Sequence, residues 1–196
     1  MGPGYYRWRY RVSGAAYRVE CVADASQTAP DTDQSEASQE VRASRQASWF
    51  DQLPTMYGTS AALFTNPAGR ILLVKPNYRD HWLLPGGILE HGEAPDAGCR
   101  REVAEELGLD IEPGPLLAVG PPAPPTRRPK PIVIFVFDGG VLADDTPIRL
   151  QEAELDDYRF VPAADLDDYL PPVMGARVAA ALRSRGTGGT AYLAAS

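Results

Sequence analysis

Three glutamates, Glu102, Glu105 and Glu106, stand at i, i+3 and i+4 in a stretch free of helix breakers. On a helix this spacing brings the three carboxylates to one side. Cys99, Val103 and Leu107 recur at i, i+4 and i+8 and form an apolar stripe on the opposite face. Like charges so spaced repel by about 0.2–0.5 kcal/mol per pair. Such a cluster is mildly unfavourable unless water or a cation relieves it. Hard divalent cations take oxygen ligands of this kind, often one or two carboxylates together with substrate phosphates. Three glutamates alone also describe an ordinary solvated acidic face. Two further features favour ligation. Arg101 reaches Glu105 at i+4, and Glu93 lies in the loop entering the helix. A guanidinium fork between carboxylates fixes their rotamers by bidentate pairing. Gly86-Gly87 lets the backbone approach closely and leaves carbonyls free to ligate a metal.

The elements that must hold these residues follow from pattern and punctuation. Residues 94–107 read as a helix, with Pro95 in the first turn and Gly108 just past the end. Ahead of it, Thr59–Thr65 and Arg70–Lys75 are apolar runs separated by Asn66-Pro67-Ala68-Gly69, which predicts a hairpin. Trp82–Leu84 is a third short apolar run, broken by Pro85-Gly86-Gly87. After the helix come a run at Leu116–Val119, a proline-rich loop at Gly120–Pro125 and a strong buried strand at Ile132–Phe137. An acidic, turn-rich segment follows, then a strand at Tyr158–Val161 and a helix from about Pro172 to Arg185. Strands and helices alternate without regular βαβ spacing, which predicts the α+β class with a mixed sheet between helices.

Composition sets the outer limits. The chain has 196 residues, 44% hydrophobic and 23% charged, ordinary values for a packed domain. Its formal charge of −7 disfavours a nucleic-acid binder, which needs a basic footprint. A small phosphorylated substrate stays compatible, because a divalent cation reverses the local sign. No run approaches the roughly 20 apolar residues of a membrane span, and the first ten residues lack an apolar signal core. Two distant cysteines, Cys21 and Cys99, indicate neither a disulfide framework nor a zinc site, so a reducing, cytoplasmic setting is expected. Arginine far outnumbers the two lysines, Lys75 and Lys130, which reads as a high-GC bacterial coding bias. Residues 1–48 form an extension: an aromatic-basic leader, then a Ser/Ala/Gln/Asp-rich linker or helix. In the leader Tyr5, Tyr6, Trp8, Tyr10 and Tyr17 interleave with Arg7, Arg9, Arg11 and Arg18, as a strip for nucleic acid or a partner or, in the preferred reading, a short strand or a poorly ordered leader. Residues 49–185 are the folded domain, and 186–196 a Gly-rich hinge with a short tail.

Written as a pattern, Gly87, Glu93, Arg101, Glu102, Val103, Glu105, Glu106, Gly108 and Leu109 give G-x5-E-x7-R-E-U-x-E-E-x-G-U, with U aliphatic. This resembles the box of the Nudix hydrolases in every slot. Seven slots demand one residue type each, so a chance match is on the order of 10⁻⁸ per window. The resemblance implies an α/β/α sandwich with a central mixed β-sheet, the box forming a loop-helix-loop. It implies hydrolysis of the diphosphate linkage in a nucleoside diphosphate-X or nucleoside triphosphate, with Mg²⁺ or Mn²⁺ and release of a nucleoside monophosphate. Carried onto this chain, Glu102 and Glu106 are the main metal ligands, Glu105 a further ligand or the base, and Gly86 the donor of a carbonyl. Arg101 and Glu93 orient the catalytic carboxylates. Glu152 and Glu154, outside the box, are alternative bases. Lys75, Arg79 and Arg127 are candidates to face substrate phosphate, and Trp82 to stack on a base, with core packing preferred for Trp82. Relatives in this family are often homodimers. The alternative reading is a nucleotide-sensing domain that binds without cleaving; keeping every box glutamate favours the enzyme. Which nucleotide is the substrate stays open at this point.

Overall fold

The computed structural model describes residues 7–13, 16–22, 49, 51–123 and 130–193. It divides into two compact units, Met1–Leu53 and Pro54–Ser196. The linker stretch 24–48 and Arg127 lie outside the described residues. In the first unit, β1 (Arg7–Ser13) and β2 (Ala16–Val22) pair antiparallel, from Arg7 opposite Val22 to Ser13 opposite Ala16.

The second unit runs β3 (Tyr57–Thr65), β4 (Ile71–Pro76), β5 (Gly86–Ile88), α1 (Pro95–Leu107), β6 (Leu116–Ala123), β7 (Ile132–Val141) and β8 (Leu155–Val161). A 3-10 turn at Ala163–Asp168, α2 (Pro172–Thr187) and the short β9 (Ala191–Tyr192) complete it. The seven strands form one mixed sheet in the order β8-β4-β3-β7-β6-β9, with β5 also paired to β3. The pairs β3–β7 and β6–β9 are parallel, and the others antiparallel.

The central strands are apolar on both faces because helices cover both. In β3 and β4, side chains alternate between two cores. Leu63, Ile71 and Leu73 join Leu117, Val136, Val161, and Val178 and Ala181 of α2. Ala62, Phe64, Leu72 and Val74 face the other way, toward Cys99, Val103 and Leu107 of α1. Each helix therefore covers one face, giving an α/β/α sandwich. Both helices begin with proline in the first turn and end on a left-handed glycine, Gly108 at φ 67° and Gly188 at φ 77°. Arg185 near the end of α2 clamps that helix to the sheet. Its Nε donates to Asp138 Oδ2 at 3.0 Å, its Nη1 to Thr65 Oγ1 at 3.2 Å, and its Nη2 to the Leu63 carbonyl.

The sequence reads Pro85-Gly86-Gly87 as a break, whereas Gly86 and Gly87 belong to β5, opposite Ala61 and Ser60 of β3. The apolar run before it contributes a single bridge, Leu83 to Val74. Among the described residues no helix is long and apolar enough to cross a membrane.

Candidate active site

Helix α1 presents its three glutamates to different depths. Glu105 is exposed, Glu102 half-buried and Glu106 buried at 6% exposure. The expectation that all three project away from the apolar stripe is corrected for Glu106. One heptad separates it from Cys99, and a straight helix drifts only about 20° per heptad, so Glu106 borders the stripe and sinks with it.

Burial without a cation is costly for a carboxylate. Glu106 is pushed up to about 8, first by burial and then by the negative charges of Glu102, Glu154 and Glu105. The Gly86 N–H opposes this by donating to Glu106 Oε2 at 2.7 Å. Glu102 is raised as well, chiefly by burial, with Arg101 acting against it.

Position 86 requires glycine. Its φ is 140°, and a Cβ there would lie 2.2 Å from the Ser60 carbonyl oxygen. At Gly87 a Cβ would lie 2.4 Å from Glu102 Cδ. The two glycines thus let β5 run directly beneath the carboxylates of α1.

Arg101 orders the exposed side of the cluster. Its Nε and Nη2 grip Glu93 Oε1 and Oε2 at 2.8 and 2.9 Å. Its Nη1 donates to Glu102 Oε1 at 2.9 Å and to Glu105 Oε2 at 3.0 Å, and Nη2 also reaches the Ile88 carbonyl at 3.1 Å. The Arg101 hydrogen bonds and the Glu90 N–H hold Glu93 down at about 2.

A cavity of about 660 Å³ opens beside this cluster. Glu102, Glu105, Glu106, Gly86, Arg101 and Glu154 are among its walls. Arg79 also lines it, and its Nε is buried with no hydrogen-bond partner among the described residues. Three other candidates stand elsewhere. The Lys75 ammonium donates to the carbonyls of Pro76, at 3.3 Å, and Arg79. Trp82 packs edge-on against Tyr169 at 5.6 Å, under the Arg159 guanidinium. Glu152 is exposed and, with these two, is not part of the cavity wall. Sequence reasoning passed over Arg177 of α2, which does line the cavity. Its signal was isolation: it is the one charged residue in Pro172–Leu182.

The donor set fits a hard cation. It consists of carboxylate oxygens, two of them raised by burial and mutual repulsion, next to a glycine backbone. The one guanidinium among them serves Glu93, Glu102 and Glu105, leaving Glu106 without a positive partner. Among the described residues no three acidic, histidine or cysteine side chains already stand as a closed cage, so ligation would require the carboxylates to draw in.

Among curated proteins, the chain is 40% identical over 108 residues to YjhB of Bacillus subtilis (strain 168), which bears the provisional name ADP-ribose pyrophosphatase; the match covers 53% of this chain and 48% of that protein. It is 34% identical over 103 residues to the RNA pyrophosphohydrolase of a Nitratiruptor species, covering 46% of this chain and 64% of that one. The chain thus spans about half the length of the curated relatives it matches. Among solved structures, the MutT protein from Methanosarcina mazei Go1 superposes with a TM-score of 0.58 at 26% identity, over 67% of this chain and 96% of that one. The family model for the NUDIX domain matches residues 55–181. That match takes in well over half the chain, including the acidic helix and its glycine lead-in, and on this basis the chain belongs to the Nudix family.

Proposed function

We propose that this chain is a divalent-metal-dependent pyrophosphohydrolase. It cleaves the diphosphate linkage of a nucleoside diphosphate-X or nucleoside triphosphate by attack of water on phosphorus and releases a nucleoside monophosphate. The observation that carries this reading is Glu106: a buried carboxylate, raised by burial and neighbouring negative charge, on the wall of a cavity of about 660 Å³. The names of the relatives, which concern phosphoanhydride substrates, support the same class.

Glu102 and Glu106, with the Gly86 carbonyl, would hold Mg²⁺ or Mn²⁺. Bound there, the cation supplies charge neutralisation for the phosphates and acidifies a bound water. The chain's own residues do the rest. Gly86 anchors Glu106 through its N–H. Arg101 and Glu93 fix the rotamers of Glu102 and Glu105 and are positioning residues. Glu105, open to the cavity, takes the proton from the attacking water. Glu154 shares the cavity and is the alternative base. Arg79 faces substrate phosphate with an unpaired Nε. The net charge of −7 favours a small nucleotide over a nucleic acid.

The test is turnover of a panel of nucleoside diphosphate-X compounds and nucleoside triphosphates with Mg²⁺ or Mn²⁺, by wild type, Glu105→Gln, Glu154→Gln and Glu106→Gln. The reading expects Glu106→Gln to lose turnover on the order of 10²–10⁴-fold while staying folded, because a neutral amide suits a buried site better than a carboxylate. Of the other two, the base is the residue whose replacement removes the acidic limb of the pH–rate profile. Full turnover in both Glu105→Gln and Glu106→Gln contradicts the mechanism.

A further inference from the structure

The cavity has two chemically opposite ends. The α1 end is the acidic cluster. The other is lined by Ile132, Ile134, Leu170, Met174 and Val178, with Arg177 among them. Because α1 and α2 cover opposite faces of the sheet, a cavity walled by both reaches from one face toward the other, past the starts of β3 and β7.

Arg177 is half-buried, and among the described residues it has no carboxylate or hydrogen-bond partner. Three arginines elsewhere are paired with carboxylates: Arg101 with Glu93, Arg100 with Asp110, Arg185 with Asp138. Desolvation alone lowers Arg177, with no acidic neighbour offsetting it. A buried charge is ordinarily paired, and a guanidinium offers donors only. The guanidinium also has a built seat. At Gly120 of β6 a Cβ would lie 2.8 Å from Arg177 Nε and 3.4 Å from Cζ. Glycine there leaves the room the side chain occupies.

Resting on the hydrolytic reading for the orientation of the substrate, we infer that Arg177 binds a second anionic group, a phosphate or carboxylate carried on the moiety joined to the diphosphate. With the diphosphate at the α1 end, that moiety extends toward α2. The apolar walls keep water from the ion pair and strengthen it.

Ligand-observed NMR titration in EDTA tests this without metal or turnover, so it fails separately from the hydrolytic reading. The probes are two pairs that differ by one anion: NAD⁺ against NADP⁺ for phosphate, UDP-glucose against UDP-glucuronate for carboxylate. In at least one pair the more anionic compound is expected to bind wild type about 10- to 100-fold tighter. Arg177→Gln should close that gap and Arg177→Lys retain part of it. Gly120→Ala should narrow it by displacing the guanidinium from the sheet side. Circular dichroism and melting confirm that each variant is folded. Equal binding within both pairs, absence of binding by all four compounds, or a gap that survives in folded Arg177→Gln overturns the assignment.

Discussion

The Gly86 N–H donates a 2.7 Å hydrogen bond to Glu106 Oε2 and so ties strand β5 to helix α1 at the centre of the carboxylate cluster. The bond depends on β5 lying so close to β3 that a Cβ at position 86 would meet Ala61 Cα at 2.6 Å. Gly86→Ala must therefore push β5 outward and carry the N–H away from Glu106. Turnover is expected to fall at least roughly 10²-fold, and stability by about 1–3 kcal/mol for the strained backbone, read by kinetics and denaturant melts. Unchanged kinetics in a folded Gly86→Ala protein would remove the anchoring role.

Stability of the metal-free protein should depend on pH through Glu106. Its folded value, about 8, lies above the ordinary 4.5, so the fold holds a proton that the unfolded chain releases between these values. The stabilisation is complete below about 4.5 and is lost as pH rises through about 8, by at most about 1.4 kcal/mol per pH unit. On the proposed function Mg²⁺ would bind the ionised form, so its stabilising effect should grow over the same window. Melting curves from pH 5 to 8.5, with and without Mg²⁺, check this. Glu106→Gln should flatten both trends; parallel slopes in wild type and variant would contradict it.

Arg101 makes five hydrogen bonds with Glu93, Glu102, Glu105 and the Ile88 carbonyl. Lysine keeps the charge but cannot reproduce the fork. Arg101→Lys is expected to lower kcat about tenfold or more, with a smaller change in KM, since it disorders the proposed catalytic carboxylates more than the proposed substrate site. A purely structural role would instead lower Tm and leave kcat per folded molecule unchanged.

The Arg185 clamp lies away from the cavity, and its contribution should be to stability. Asp138→Asn weakens the bidentate pair formed at 2.6 and 3.0 Å, and a loss of about 1.5–3 kcal/mol is expected. Denaturant unfolding measures it. The ratio of activities toward different substrates should not move.

Much of this was legible in the chain because the signals are local. The i, i+3, i+4 glutamates, the proline at the start of α1 and Gly108 at its end locate the helix, and the apolar runs locate β3, β4 and β7. What stayed hidden depends on partners distant in sequence. Gly86-Gly87 reads as a breaker until β3 is known to lie alongside; then it is a strand that only glycine can form. Glu106 reads as surface until its heptad offset from Cys99 is followed to the core. Arg177 lies 71 positions beyond Glu106, and only the fold brings both to one cavity. Lys75 occupied a plausible strand-end position, yet neighbouring carbonyls take its ammonium.

Calorimetric titration of Mg²⁺ or Mn²⁺ into wild type and into a Glu102→Gln/Glu106→Gln double variant addresses the carboxylate cluster most directly. Wild type should bind the cation with an affinity that rises with pH, and the folded double variant should bind at least tenfold more weakly. Equal affinity in the two proteins would contradict the assignment of these glutamates to a metal.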